Sequence, residues 1–287
     1  MSIAQTAGKQ SILPRAPFRA RFLAHPLVRV VLGAVASVLP VMLIMMLTQM
    51  LLPKPARMVW PMLLAAGLSV LAYRLFVTRI EKRQPVELAR QGALHEVGAG
   101  MALGASLGLG VAIILAVAGA FVITGSSDSW DFLLKCLPEQ IMVAVFEEIL
   151  FRAVVFRIVE RRWGTRTALA ATALLFVAAH LPNDNLSAMA MLMTAVASLA
   201  LSAAYLWTRR IWLPIGMHFG WNFLFDGVFA VPLSGHAARG WLQVSLPGPT
   251  WLTGGAYGVE ASLLTLLLWG AVTVVMLRQR PRNVLAH

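Results

Sequence analysis

The sequence predicts an all-α polytopic membrane helix bundle, because its composition and its apolar runs both match a bilayer. Of 287 residues, 59% are hydrophobic and 13% are charged, and the mean hydropathy is +0.76. An average soluble domain has roughly 25% charged residues. The apolar residues form unbroken runs of about 20, the length that a helix needs to cross ~30 Å of hydrocarbon. Membrane-spanning strands would alternate instead, so the runs indicate helices.

Eight apolar spans follow one another along the chain. They are predicted at about 27–52, 58–77, 98–124, 134–158, 166–181, 187–208, 212–232 and 258–277. Neither an internal repeat nor a Gly/Ser-rich linker divides them, so residues 27–277 are expected to form a single transmembrane bundle. A basic segment, 1–26, and a basic tail, 278–287, flank the bundle. The first apolar run is too long for a signal peptide, which predicts a retained anchor.

Basic residues collect on one side of this predicted topology. The opposite side keeps only Lys54, Arg57, Lys135 and Arg239. This asymmetry follows the positive-inside rule and predicts that both termini are cytoplasmic. We expect a multi-pass protein of the bacterial plasma (inner) membrane. The net charge of +12 therefore reflects orientation in the lipid bilayer. Nucleic-acid binding is disfavoured because the basic residues lie between apolar runs and not in a patch with interleaved aromatics.

Local signals around span three predict packing. Residues 85–96 start with a proline and have an apolar side, which predicts a helix along the cytoplasmic interface. Gly100, Gly104 and Gly108 recur every four residues, a spacing that lets another helix approach closely. Cys136 is the chain's one cysteine, so an internal disulfide is excluded, and we expect this thiol in the core.

Span four contains the largest departure from apolarity. Glu147 and Glu148 are adjacent, and Arg152 follows the second carboxylate by four residues. Two neighbouring carboxylates in an apolar setting cannot both stay ionised without a partner. Glu148 and Arg152 share a helix face, so the guanidinium is expected to neutralise and orient Glu148. Glu147 lies about 100° round the helix and is left free. A buried ion pair that only fixes helix packing is the alternative interpretation.

Two further spans contain polar groups at helical spacing. Phe176 and His180 share a face at the end of span five. In span seven His218 and Asn222 share a face, and Asp226 continues it one turn later. Ionisable groups inside spans are costly and indicate a functional site. Together with span four they supply a carboxylate and an imidazole to deprotonate water, and donors to hold an oxyanion.

These residues resemble the CAAX prenyl protease and bacteriocin-processing (CPBP, or Abi) family of intramembrane peptidases. The family pattern is Glu-Glu-x-x-x-Arg, then Phe-x-x-x-His, then His-x-x-x-Asn or Asp on successive membrane helices. All three elements occur in order, over about residues 134–226, which we take as the peptidase core.

A serine protease is the less favoured alternative. Ser187 and Ser202 have no histidine at a spacing that indicates a serine dyad, and span serines commonly bond to backbone carbonyls.

The resemblance implies hydrolysis of a peptide bond in a membrane-associated protein or peptide substrate. Glu147 with His180 would activate water, and His218 with Asn222 would form the oxyanion hole. Arg152 and its carboxylate partner would be structural support. The family is also described as metallopeptidases, so Zn²⁺ on Glu147, His180 and His218 stays open as a cofactor. The helical His-Glu-x-x-His signature is absent, and the carboxamide suits hydrogen bonding better than zinc ligation.

Alternatives from other classes remain at this stage. Glutamate and histidine inside spans also build the proton relays of coupled transporters, which would predict an inverted repeat. A non-catalytic membrane scaffold could use the same polar cluster to set helix register. The predicted topology also leaves the depths of His180 and His218 unmatched, because His218 lies only about six residues, ~9 Å, from the start of its span.

Overall fold

The computed structural model describes residues 18–57, 59–237 and 239–279. Most of the predicted basic N-terminal segment, including Lys9 and Arg15, and the tail from residue 280 lie outside the described residues. The described chain is overwhelmingly helical, which confirms the predicted all-α class.

The helices follow the apolar spans in chain order. The α-helices are α1 Phe18–Ala24, α2 Pro26–Leu51, α3 Trp60–Leu75, α4 Ala93–Val117, α5 Asp131–Glu148, α6 Arg157–Trp163, α7 Thr165–His180, α8 Ala188–Thr208, α9 Trp212–Asn222, α10 Thr250–Thr253 and α11 Leu263–Gln279. Wider π-helical turns continue α3 at Phe76–Glu81, α5 at Ile149–Phe156 and α9 at Phe223–Val228. Single 3-10 turns lie at Lys54–Arg57, Val86–Leu88, Gly255–Tyr257 and Val259–Ala261.

Length and composition qualify four of the described helices as membrane spans. They are Pro26–Leu51, Trp60–Glu81, Ala93–Val117 and Ala188–Thr208. The apolar helices α7 and α11 are shorter, with 16 and 17 residues. Helix thus occupies each of the eight predicted spans, but the number that cross the bilayer stays a prediction.

Two predicted segments differ from the structure. Span three was expected to reach residue 124, but α4 ends at Val117, and Gly119 then adopts a φ of +70°. The β-branched residues beyond it form strand β1, Val122–Ser126, which pairs antiparallel with β2, Leu242–Ser245. The predicted interfacial helix at 85–96 is also wrong. A 3-10 turn occupies Val86–Leu88, and Gly92 at a φ of +73° separates it from α4.

Helices α4 and α9 pack backbone against backbone, as the glycine spacing predicts. A Cβ on Gly100 would collide with the carbonyl oxygen of Leu213, and one on Gly104 with that of Met217. Gly216 and Gly220 return the contact, because a Cβ there would meet backbone carbonyls of α4. Small residues on both helices allow this close approach in a membrane.

Two buried apolar clusters surround the polar residues of the bundle. One joins α4, α8, α9 and α11, and the other joins α3, α6, α9 and the π turn after α5. Single hydrogen bonds reinforce these contacts, for example from Trp207 Nε1 in α8 to the carbonyl of Met276 in α11, at 2.7 Å. The clusters meet at α9, so its side chains are fixed from both sides.

Candidate active site

A polar cavity of about 500 Å³ lies between α5, α7, α9 and the loop that follows α9. A recess of about 50 Å³ adjoins it, and His180, His218 and Ser234 line both spaces. The main cavity is also lined by Glu139, Gln140, Glu147, Asp226, His236 and Arg239. Asn222 lines the recess. All the predicted site residues of spans four, five and seven therefore lie at or directly behind one cavity.

Glu148 and Arg152 form a fully buried ion pair behind this cavity. Arg152 Nη1 donates to Glu148 Oε1 at 3.0 Å, and both side chains are 0% exposed. Arg152 Nη2 donates to the backbone carbonyl of Ser198 in α8, also at 3.0 Å. The pair predicted from the spacing of four residues is present, and it ties α5 to α8. Such a pair is costly to break, because either partner alone would be an uncompensated buried charge.

His218 lies between the two adjacent carboxylates. Its Nδ1 lies 3.0 Å from Glu148 Oε1, and its Nε2 lies 4.0 Å from Glu147 Oε2. A carboxylate can only accept, so Nδ1 carries a proton in this hydrogen bond. Nε2 is left to face the cavity and Glu147. The sequence did not predict that the adjacent glutamates would both face the same imidazole.

Glu147 is the carboxylate that remains free. Its Oε2 is buried and has no hydrogen-bond partner among the described residues, while the side chain as a whole is 15% exposed and lines the cavity. The neighbouring Glu148 is the last residue of α5 before the π turn begins. Asn222 likewise ends α9 at its own π turn. Wider turns of this kind frequently occur at functional sites.

The second motif connects to the first through an aromatic ring. The guanidinium carbon of Arg152 lies 5.1 Å from the centroid of the buried Phe176 ring. His180, the second residue of this motif, packs against Phe176 with the two ring centroids 4.5 Å apart. His180 Nδ1 donates to the Phe176 carbonyl at 2.8 Å, because a carbonyl can only accept. The His180 Nε2 is then unprotonated in the neutral ring and free to accept from water.

The unmatched depths of the two histidines are resolved by where α9 begins. Gly100 lies seven residues into α4, yet it packs against Leu213 and Met217 at the start of α9. The first turn of α9 is therefore deeper in the bundle than the first turn of α4. His218 reaches the level of Glu147 and His180 although it is only six residues from the N-terminus of its helix.

A chain of side-chain amides that the sequence analysis missed orients Asn222. Asn222 Nδ2 donates to Gln140 Oε1 at 3.0 Å, and Gln140 Nε2 donates to Asp226 Oδ2 at 2.8 Å. Because the carboxylate can only accept, Gln140 must turn its NH₂ group toward Asp226 and its carbonyl toward Asn222. One N–H of Asn222 is thereby engaged and the other stays free. The spacing of seven residues between Gln140 and Glu147 puts both on one face of α5, and this was the missed signal.

Arg239 completes this chain at the mouth of the cavity. Its Nε donates to Asp226 Oδ1 at 3.1 Å, and its Nη1 donates to Glu139 Oε2 at 2.6 Å. Burial lowers the pKa of Arg239, but the hydrogen bonds to Asp226 and Glu139 outweigh burial and raise it above its ordinary value. Cys136 Sγ also contacts Asp226 Oδ2, at 3.3 Å. No sequence spacing relates Arg239 to these residues, since its loop is brought in by the fold.

The loop after α9 forms one wall of the cavity, and Glu260 holds it. Glu260 Oε2 accepts from the backbone N–H and the hydroxyl of Ser234, at 2.6 and 2.7 Å. Glu260 Oε1 accepts from Trp221 Nε1 at 3.0 Å. Asn183, just after α7, donates to the Ser234 carbonyl at 3.0 Å. Both carboxylate oxygens of Glu260 are therefore engaged in hydrogen bonds that hold this wall.

The donor set around the cavity does not form a metal site as it is placed. Within residues 18–57, 59–237 and 239–279, no three or more His, Cys, Asp or Glu side chains are grouped to hold a metal ion. His218 Nδ1 and His180 Nδ1 both donate to oxygen atoms of the protein. These bonds leave Nε2 as the ring nitrogen of each neutral imidazole that can accept from water.

The comparisons with known proteins agree with this location. Residues 129–224 match a family model described as "Type II CAAX prenyl endopeptidase Rce1-like". No curated protein and no solved structure gives a significant match to the chain. The matched region includes the ion pair, both histidines and the carboxamide described above, and it overlaps residues 134–226 except for the last two. Residues 129–224 thus match the Rce1-like model of a CAAX-type protease, in a chain whose apolar helices point to an integral membrane protein.

Proposed function

We propose that this protein is an intramembrane endopeptidase that hydrolyses a peptide bond in a membrane-associated protein or peptide by means of a glutamate-activated water. One observation carries the proposal most directly. Glu147 lines a cavity together with His180 and His218, and its buried Oε2 has no hydrogen-bond partner among the described residues. A free carboxylate beside two imidazoles in an otherwise apolar bundle is an arrangement for proton transfer.

Two acceptors are available to bind and polarise one water molecule. Glu147 contributes its carboxylate, which lines the cavity, and His180 contributes Nε2, because its Nδ1 donates to Phe176. A water held by both would lose a proton to Glu147 as its oxygen attacks the scissile carbonyl carbon. The same glutamic acid would then return the proton to the departing amine. This is general acid–base catalysis, which typically contributes 10²- to 10⁴-fold in rate.

Two donors are available for the oxyanion that forms on the carbonyl oxygen. Asn222 offers the N–H that Gln140 leaves free, and His218 offers Nε2 when it is protonated. Glu148 accepts from His218 Nδ1 and so stabilises the positive imidazolium. Preorganised donors in a site with little water are worth about 10²- to 10³-fold each.

The proposed topology has eight membrane helices with both termini cytoplasmic, and residues 27–277 form one bundle. Basic residues at the shared end of α6, α8 and α9 support it, as in the ion pairs of Arg209 with Glu160 and of Arg210 with Glu96. At the other end Trp130 stacks on Trp241 with ring centroids 5.4 Å apart, as expected for an interfacial aromatic pair. The test places a single cysteine at Arg166→Cys or at Trp251→Cys in a Cys136→Ser background. A thiol reagent should label these two cysteines from opposite faces of oriented vesicles.

The experiment for the activity compares wild type with Glu147→Gln, His180→Ala and His218→Ala in reconstituted bilayers. Each protein is incubated with a library of membrane peptides, and new termini are identified by mass spectrometry. We expect cleavage by wild type and a loss of at least about 10²-fold in Glu147→Gln. Glu160→Gln makes the same change on α6, away from the cavity, and should cleave normally. Equal cleavage by all of these proteins would refute the assigned site.

A chelator arm of the same assay addresses the zinc alternative. The proposed mechanism predicts unchanged cleavage after prolonged treatment with a strong chelator, because each step uses side chains of the chain itself. Loss of cleavage that added zinc restores would require a metal-bound site instead. Folded wild type that cleaves nothing on a broad library would favour a transporter or a scaffold.

A further inference from the structure

A basic pocket of about 180 Å³ lies between the corner of α1 and α2 and the start of α6, apart from the polar cavity. Arg29, Arg157, Arg161 and Arg162 line it, and Glu81 is the carboxylate among its lining residues. Helix α2 begins here, the π turn after α3 ends here, and α6 passes alongside. The pocket is therefore at a membrane end of the bundle and not in its interior.

The carboxylate in this pocket is already committed. Glu81 Oε2 accepts from Arg157 Nη2 and from Arg83 Nε, each at 2.8 Å. Two guanidinium groups therefore share one carboxylate. The remaining arginines add positive charge that this carboxylate does not balance.

Three guanidinium groups retain free donors. Across the described part of the chain, neither Arg161 nor Arg162 has an ion-pair partner, and both side chains are exposed. Arg29 uses Nε for the carbonyl of Leu23, at 3.0 Å, which leaves both terminal nitrogens free. A guanidinium presents a planar fork that matches phosphate oxygens in a bidentate manner.

The surface next to the pocket is apolar. Leu32 and Ala36 follow Arg29 by three and seven residues, on the same face of α2, and they line an apolar surface groove together with Phe76 and Ile80. A free anion would gain nothing from these side chains, whereas the acyl chains of a lipid would cover them. Basic pockets between membrane helices commonly bind anionic headgroups.

We propose that this pocket binds the headgroup of an anionic phospholipid, with its phosphate on Arg29, Arg161 and Arg162 and its acyl chains along the groove at Leu32 and Ala36. The net positive charge of the pocket disfavours the choline of a zwitterionic lipid. This proposal is independent of the proposed peptidase activity, because it concerns a separate pocket.

The test measures the thermal unfolding midpoint and lipid retention in native mass spectrometry. Purified full-length protein in a neutral detergent is titrated with phosphatidylglycerol, phosphatidylcholine or inorganic phosphate. For wild type we expect phosphatidylglycerol to raise the midpoint by at least about 3 °C, with one retained lipid, and the other two additives to have little effect. Binding that stabilises only the folded state must raise this midpoint.

Matched double variants locate the effect. Arg161→Gln with Arg162→Gln should lose more than half of the phosphatidylglycerol shift. Arg166→Gln with Arg278→Gln removes the same two charges outside the pocket and should keep the shift. An unchanged shift in the first variant, or an equal shift with phosphatidylcholine, would overturn the proposal. An equal shift with inorganic phosphate would show that the pocket binds a free anion, which would also overturn the lipid assignment.

Discussion

Glu148 Oε1 and His218 Nδ1 lie 3.0 Å apart in a position where the carboxylate is fully buried. The same oxygen accepts from Arg152. One atom therefore connects the structural ion pair to an imidazole that faces the cavity. A substitution in the ion pair should therefore also alter His218 at the proposed oxyanion site.

Substitution of Glu148 by glutamine should reduce both stability and activity. The Arg152 charge would then be buried without a partner, at a cost of about 3–5 kcal/mol in the free energy of unfolding. The imidazolium form of His218 would also lose its counter-charge. The double variant Glu148→Gln with Arg152→Met should recover most of the thermal midpoint but none of the activity. Wild-type cleavage by the double variant would show that Glu148 only supports the fold.

Gln140→Met should lower kcat on a cleaved peptide by about tenfold or more and leave KM nearly unchanged. The variant removes the hydrogen bond from Asn222 to Gln140 and the one that fixes the Gln140 amide on Asp226. An oxyanion donor acts in the transition state more than in the bound substrate. Cys136→Ser is the matched control, because it lies on the same helix and contacts the same carboxylate of Asp226. A higher KM with an unchanged kcat would place Gln140 in substrate binding instead.

Two glycines of α4 should respond oppositely to alanine. At Gly104 a Cβ would collide with the Met217 carbonyl, so Gly104→Ala should destabilise the protein by about 1–3 kcal/mol. At Gly110 nothing lies within 4 Å of the added Cβ. Gly110→Ala should be neutral or stabilising by up to about 1 kcal/mol, since alanine favours the helix. Thermal unfolding of the pair measures the difference, and equal midpoints would contradict the close packing of α4 with α9.

Stability should also fall at acidic pH because of Glu87, in the turn between α3 and α4. Burial raises the pKa of Glu87, but the hydrogen bond from Arg83 and the charges of Arg157 and Arg83 lower it below its ordinary value. With the folded pKa below the unfolded one, the stabilisation is full above the unfolded pKa of ~4.3 and is lost as the pH falls through the folded pKa.

Unfolding midpoints of wild type and Glu87→Gln between pH 7 and pH 3 measure this contribution. The gap between the two midpoints should be wide at pH 7 and should begin to narrow as the pH falls below the unfolded pKa of ~4.3. A gap that stays constant across this range would mean that the Glu87 carboxylate contributes no pH-dependent stability.

The sequence was most informative where a period of 3.6 residues governs the geometry. The ion pair of Glu148 with Arg152 and the glycine contact of α4 with α9 both follow from spacing along regular helices. The contacts of Arg239 could not be predicted, because a loop brings this residue to Asp226 from a different part of the chain. The π turns after α5 and α9 could not be predicted either, because no residue type in the sequence indicates them.

The seam between α4 and α9 also determines how a substrate can arrive. Backbone lies on backbone along this seam, so an extended peptide cannot pass between the two helices. We expect entry from the opposite side, where Val143, Phe146 and Leu150 of the α5 segment line the cavity. A transmembrane peptide would then enter laterally from the lipid. The size of the side chains at these three positions would determine which substrate side chains can approach Glu147.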